Sequence, residues 1–509
     1  MRTLALCLLI PILSAQAQAQ AQAGTRDPAR QAAILFDGLA GQPARLRMLM
    51  RELPKGADLH NHLSGAVYAE SYLAWARASH LCLDAATHAL SPPPCAAGAM
   101  DAGDALARTP ALYDGTIDAF SMRDYVPRLG DVSGHDHFFS AFAKFDPAGR
   151  DHAGEMLAEA ANRAAGDHVL YLELMHYPLV RESAGLGLAH AWHGEDFARD
   201  LDEIRVGIPA LVSQARTRTD LAETRMREVL GCGTARAQPG CRVKIRYLTQ
   251  LIRILPPQAV FAQMAYSYAL VRADPRFLGV NIVAPEDNPV ALRDYGLHMR
   301  AFRYLSSVDP SVKLTLHAGE LTEGLVPPEA LRSHIRDAVE VAGARRIGHG
   351  VDVTYEDDAQ GLLAEMARRH VAVEINLTSN DEILGVKGEQ HPFRAYRAAG
   401  VPMVLSTDDE GVSRIDLTHE YLRAAGTYGL RYDDLKQLSR NSLTYSFLPG
   451  DSLWSPSGRL APACGGTNPG AAPTGACAGL LAHSEKARTQ WQLEDGFRAF
   501  ERKLARAPG

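Results

Sequence analysis

From about residue 54 onward, hydrophobic positions fall into short dense runs separated by longer stretches with an apolar residue every third or fourth place. The dense runs lie at 57–63, 169–176, 243–254, 278–284, 312–317, 345–349, 371–377 and 402–407, and they read as strands. Stretches such as 329–342 and 357–369 have helical periodicity. Alternation of this kind implies parallel strands joined by crossover helices. Eight strands, each with a following helical stretch, is the count of an α/β fold of the (β/α)₈ TIM-barrel type. A doubly wound open sheet is the alternative, but no Gly-x-Gly-x-x-Gly follows any strand.

Two connections exceed what a plain barrel needs. About a hundred residues separate the first strand from the second, far beyond an ordinary βα loop, so an insertion is expected at about 66–168, with helical packing near 120–129 and 138–145. Residues 195–231 read as extended helix. After the last strand, helices are expected near 417–425 and 432–447, then a Pro/Gly-rich loop and a closing helix at 485–505. Ahead of the barrel, Ile34, Leu35, Leu39, Leu46, Leu49 and Met50 suggest helices broken near Gly41 and Pro43. The expected organisation is therefore a leader at 1–23, an N-terminal helical extension at 24–53, and one barrel with its insertion over 54–509.

The leader rests on Arg2, the apolar run 4–13 and the Ala-Gln repeats that follow. That is the pattern of a secretory signal peptide, too short to span a bilayer, and it predicts a secreted or periplasmic protein without a membrane anchor. Cysteine usage agrees. Beyond Cys7, six cysteines form three sequence-local pairs: Cys82 with Cys95, Cys232 with Cys241, and Cys464 with Cys477. In an exported chain these are expected disulfides, although six cysteines allow 15 pairings. A formal net charge of −6 without a dense basic run argues against nucleic acid as a partner.

Candidate chemistry sits at the ends of the strands. His60 and His62 are two apart on the first strand, so they share a face while Leu59 and Asn61 take the other. His317 ends the fifth strand and leads through Gly319 to Glu320; His349 ends the sixth; Asp408 and Asp409 follow the eighth. All fall at the C-terminal ends, where barrel enzymes carry their chemistry. Three imidazoles and a carboxylate (His60, His62, His317 and Asp408) suit one zinc ion. His349 could then orient or deprotonate a water, Glu320 could protonate a substrate atom, and Asp409 could bond a polar ring substituent.

These four motifs, His60-Asn61-His62, His317-Ala318-Gly319-Glu320, Gly348-His349-Gly350 and Ser406-Thr407-Asp408-Asp409, resemble the adenosine deaminase family in order and in strand position. The leader, the insertion and the cysteines further resemble its secreted growth-factor-related branch. The resemblance implies a barrel with one Zn²⁺ and hydrolytic deamination of a purine nucleoside, adenosine or 2′-deoxyadenosine. By motif, His60, His62, His317 and Asp408 would hold zinc, Glu320 would protonate N1, His349 would assist attack at C6, and Asp409 would bond N7. Substrate contacts would also involve His62, Ser64 and Ala284. Ser64 stands where many members carry Asp, and Ala284-Pro285-Glu286 stands where Gly-Asp-Glu is common.

Other readings remain beside this one. A deaminase of N6-substituted or other aminopurine nucleosides would need the same groups. A two-metal hydrolase would want a bridging lysine on the fourth strand, which has none, and a cytidine-deaminase site would want Pro-Cys-x-x-Cys, which is missing. An exported binding protein on the same barrel would have no use for Glu320 and His349 together. The N-terminal helices could pair subunits in a homodimer.

Overall fold

Eight parallel strands form the centre of the computed structural model, which describes residues 27–455, 458–469 and 471–506. They are β1 (Gly56–His62), β2 (Val169–His176), β3 (Lys244–Ile252), β4 (Phe277–Val283), β5 (Lys313–Ala318), β6 (Arg346–His349), β7 (Ala372–Ile375) and β8 (Met403–Leu405). Each pairs with the next in sequence order. The seam closes where Asp408 N–H donates to the His60 carbonyl at 2.9 Å and His62 N–H donates to the Asp408 carbonyl at 3.1 Å. The eight-stranded (β/α)₈ barrel read from the hydrophobic pattern is the fold. Its strands are buried on both faces, as helix-covered parallel strands must be.

The insertion between β1 and β2 holds a small antiparallel sheet of three strands, 82–84, 90–91 and 99–101. It also holds the helices Ala69–Ala78, Ala102–Arg108, Pro110–Ala119, Gly134–Gly149 and Ala153–Gly166. Phe138, Phe142 and Phe145 of the fourth of these pack with Tyr72 and Phe120. Ahead of the barrel lie the helices Pro28–Asp37 and Pro43–Glu52, each with proline in its first turn. The signal peptide expected at 1–23 lies outside the described residues.

Several expected helices differ in detail. No helix occupies 120–129; it lies earlier, at Pro110–Ala119, and Pro127 and Gly130 fall in the non-helical segment that follows. The single helix expected over 195–231 is two, Phe197–Ile204 and Ile208–Val229, parted at Gly207 with Pro209 opening the second. The stretch 329–342 is not one α-helix but a 3₁₀ turn at Pro328–Leu331, one α turn at His334–Arg336 and a π-helical turn at Asp337–Ala342. The Pro/Gly-rich segment before the closing helix Glu485–Arg506 contains a helix of its own, Gly475–His483.

Disulfides join Cys82 to Cys95, Cys232 to Cys241 and Cys464 to Cys477, the expected pairs. Among the described residues no helix is long and apolar enough to cross a membrane.

Candidate active site at the barrel mouth

The residues singled out from the sequence converge at the C-terminal ends of the strands. The ring centroids of His60 and His62 are 5.2 Å apart, those of His60 and His317 4.5 Å, and those of His317 and His349 5.0 Å. Asp408 Oδ1 lies 3.3 Å from His60 Nε2 and 3.2 Å from His62 Nε2. Ligand atoms of His60, His317, His349 and Asp408 lie within 4.8 Å of one another, as do those of His62, Asp408 and Asp409. Thus Asp408 is common to both groups, and His349 stands closer to His60 and His317 than a purely outer residue would.

Local backbone explains the convergence. The period of two along β1 aims His60 and His62 to one side, and the seam hydrogen bonds set Asp408 between them. Asp408 (φ 60°) and His349 (φ 68°) both take left-handed backbone conformations, as does Ala284 (φ 88°) at the end of β4. Each costs on the order of 1–3 kcal/mol and persists only where surrounding contacts hold it. At Ala284 the hold is visible: Arg253, fully buried, donates from Nε to the Ala284 carbonyl at 2.7 Å and lies within reach of the His317 carbonyl. Gly348 is required for close approach, because a Cβ there would come within 2.7 Å of the His60 ring.

Outer contacts orient the imidazoles. His60 Nδ1 meets Glu374 Oε2 at 2.7 Å, His62 Nδ1 meets Gln250 Oε1 at 2.8 Å, and His317 Nδ1 meets Asn281 Oδ1 at 3.0 Å. In each case an oxygen accepts a hydrogen bond from Nδ1–H, which leaves the Nε2 lone pair directed inward, the arrangement that prepares an imidazole to bind a cation. Asn281 is fixed in turn, since its Oδ1 accepts from the backbone N–H of Ile282 and His317. His60 Nε2 is buried without a hydrogen-bond partner. Inward nitrogen lone pairs beside a carboxylate are a donor set that fits zinc.

Electrostatics separate the remaining groups. Burial, with the Asp408 charge behind it, pushes the Glu320 carboxyl well above the usual carboxylate range. Asp409 is also raised, by burial and by Asp408 against the opposing charge of His62. Burial depresses His349 to about 3. Glu286 behaves oppositely: burial would raise it, but Arg253 and His334 hold it at about 2. That ionised carboxylate accepts from the backbone N–H groups of Gly319 and Glu320, at 3.1 and 3.0 Å, and so fixes the turn that carries Glu320. Asp409 Oδ1 is buried and unpartnered.

A cavity of about 1270 Å³ adjoins this cluster, with Ser64, Tyr72, Phe142, Met175, His176 and Gln250 on its wall. Gln250, which holds His62, belongs to both. Ser64 thus stands on the cavity wall, while Ala284 follows the C-terminal end of β4 and is not part of that wall. Glu374, Gln250, Asn281 and Arg253 were not foreseen, and Glu286 was noted only as part of a motif, without this role. Their signal was a lone polar residue inside an apolar strand or just after one, as in Val373-Glu374-Ile375 and Val280-Asn281-Ile282.

Fold and cluster together define a (β/α)₈ barrel whose mouth is built to hold a cation beside a proton-carrying carboxyl group. The adenosine deaminase family model matches residues 148–454, and the chain belongs to that family. The match takes in His317, Glu320, His349, Asp408 and Asp409 and begins near the end of the insertion, so β1 lies ahead of it. Adenosine deaminases of Clostridium perfringens strain SM101 and Enterococcus faecalis are 30% and 37% identical to it, over 181 and 142 residues. Those alignments cover 35% and 28% of this chain, and 51% and 39% of the relatives. The chain therefore spans about half or less of the length of these curated relatives. An amidohydrolase from Burkholderia ambifaria solved with bound zinc superposes with a TM-score of 0.55 at 18% identity, covering 91% of this chain and 96% of its own. The N6-methyl-AMP deaminase of Arabidopsis thaliana gives 0.53 at 18% identity, covering 79% and 94%. Both show the shared fold.

Proposed function

We propose that the protein deaminates adenosine and 2′-deoxyadenosine hydrolytically, with one zinc ion per chain held by His60, His62, His317 and Asp408. The observation that carries this reading is the set of three imidazoles whose Nδ1 atoms are tied to buried oxygens, arrayed around Asp408 with Glu320 close by. Zinc, when bound, would supply the Lewis acidity that makes water a competent nucleophile near neutral pH. Glu320, kept neutral by burial, would place its proton on ring N1 as electron density collects there during attack at C6. Asp409, with a buried oxygen free of partners, would bond N7. His349 would direct Nε2 at the incoming nucleophile. Ser64 would face the sugar, and Ala284 would close the pocket against the purine.

The cavity wall favours a neutral nucleoside over a phosphorylated one. Its four arginines are already paired: Arg150 and Arg181 with Asp146, Arg218 with Glu182, and Arg225 with Glu155 and Glu228. The three disulfides and the N-terminal leader pattern support an exported protein, because such bonds persist in oxidising compartments.

Ammonia release from a panel of adenosine, 2′-deoxyadenosine, N6-methyladenosine and AMP, with and without a chelator, tests the reading. Turnover of the first two that is lost on chelation and restored by zinc is expected. Preference for AMP, or binding of adenosine without ammonia release, would overturn it.

A further inference from the structure

Behind His349 runs a chain of hydrogen bonds whose direction is set at its far end by a group that can only donate. The backbone N–H of Phe393 donates to His391 Nδ1 at 3.1 Å. His391 Nδ1 therefore carries no proton, and the proton of the neutral ring sits on Nε2. That nitrogen lies 3.1 Å from Asn380 Oδ1 and donates to it. The Asn380 amide is thereby oriented, so its NH₂ faces His349 Nδ1 at 3.0 Å. Asn376 brings a second amide nitrogen to 3.5 Å from the same atom. His349 Nδ1 must accept. The remaining neighbour of Nδ1 is Glu320 Oε1 at 3.5 Å, half an ångström farther than the Asn380 amide and long for a hydrogen bond.

The consequence is a reversal within one cluster. His60, His62 and His317 point Nδ1 at oxygens and keep an inward lone pair on Nε2, whereas His349 is held with its proton on Nε2. That Nε2 is buried, has no hydrogen-bond partner and lies 3.9 Å from Asp408 Oδ2. His349, Asn380 and His391 are all fully or almost fully buried, so water does not compete for these contacts. Geometrically His349 sits among the ligand-like residues, and only its tautomer sets it apart.

We propose that Asn380 and His391 are positioning residues that lock His349 in the Nε2–H tautomer, making it a hydrogen-bond donor toward the reacting centre and excluding it from the metal. The catalytic part of this statement rests on the deaminase reading above; the tautomer itself does not.

The test uses ¹⁵N-histidine-labelled, zinc-loaded protein, with the His349 signal assigned by its loss in His349→Gln. The wild-type signal should report Nε2–H. In Asn380→Asp the new carboxylate accepts from His349 and draws the proton to Nδ1. The spectrum should switch to Nδ1–H, and kcat should fall on the order of 10²–10⁴-fold with KM changed less than about threefold, as for an imidazole in the wrong tautomer. His391→Leu removes the donor that orients Asn380 and should lower kcat, while His391→Gln, which restores an N–H donor, should recover most of the loss. A merely structural role would move the melting temperature of both His391 variants alike and show no such rescue. Should Asn380→Asp fail to fold, the His391 pair and the wild-type spectrum decide. A wild-type Nδ1–H signal, an unchanged tautomer in folded Asn380→Asp, or no difference between His391→Gln and His391→Leu overturns the proposal. Absence of ammonia release from the wild type would overturn the functional reading alone, since the spectra would still report the tautomer.

Discussion

Two buried polar clusters share the interior of this barrel and are built on opposite principles. At the mouth, His60 Nε2, His349 Nε2 and Asp409 Oδ1 are shielded from solvent and left without partners. Below them, Arg346, which opens the same strand that His349 closes, is saturated. Its Nε donates to Glu374, its Nη2 to Glu173 at 2.7 Å and its Nη1 to the Tyr445 carbonyl at 3.0 Å, with the guanidinium 3.9 Å from the centre of the Phe447 ring. Glu173 accepts further from Tyr171 and the Phe447 N–H, and Glu374 from Thr315. Buried polar atoms are ordinarily satisfied because an unmade bond costs the full desolvation penalty. A saturated network is therefore structure, and a cluster with orphaned atoms on neighbouring side chains is a place prepared for something else. Glu374 joins the two, with one oxygen on Arg346 and the other on His60 Nδ1.

The comparison predicts that damage to the mouth removes chemistry while leaving stability intact. Glu320→Gln keeps the shape of the side chain but has no acidic proton to give, and should lower kcat by on the order of 10²–10⁴-fold. Its zinc content and melting temperature should match the wild type. His317→Ala should lose zinc and turnover together. Near-normal turnover in Glu320→Gln would remove that residue from the reaction, and full zinc content in His317→Ala would remove the imidazole from the ligand set.

Damage to the lower cluster should do the reverse. Arg346→Met leaves Glu173 and Glu374 buried without their cation, a loss of about 3–5 kcal/mol of folding stability, read from the denaturant midpoint. A pH signature accompanies it. Burial would raise the Glu374 carboxyl, but Arg346, with His60, outweighs burial and holds it at about 2, below its ordinary value near 4.5. The unfolded chain then takes up the proton first, so this contribution is present above pH 4.5 and is lost as pH falls through about 2. Arg346→Met should flatten that acid limb. A variant that melts like the wild type would contradict the saturated-network reading.

The same contrast explains what could be read from the chain. His60 and His62 were legible because a period of two puts both on one face of a strand, and Asp408 because it falls at the same end of a predicted strand as the other polar clusters. The barrel was legible from eight such runs. Their partners were not. Glu374 reaches His60 across 314 residues and Gln250 reaches His62 across 188, and nothing local distinguishes a carboxylate aimed into the barrel from one that merely interrupts a strand. Arg346 precedes His349 by three residues, yet the two carboxylates that pair with it come from β2 and β7. The helix at Pro110–Ala119 has small or polar residues among its apolar ones, whereas the bulky Phe120, Met122 and Tyr125 just beyond it draw the helical reading forward without being helical.

The smallest change examines the residue that links the clusters. Thr315 Oγ1 donates to Glu374 Oε1 at 2.7 Å, and both residues are fully buried. Thr315→Val preserves shape and removes this one donor, while Arg346 Nε still serves the same oxygen and Glu374 Oε2 still faces His60. The loss should be about 1–2 kcal/mol of stability, with kcat within about twofold of the wild type, because the His60 contact uses the other oxygen. If kcat instead fell more than about tenfold at an unchanged melting temperature, Glu374 would be tuning His60 through its charge distribution. The boundary between supporting network and reactive mouth would then run below Glu374 instead of through it.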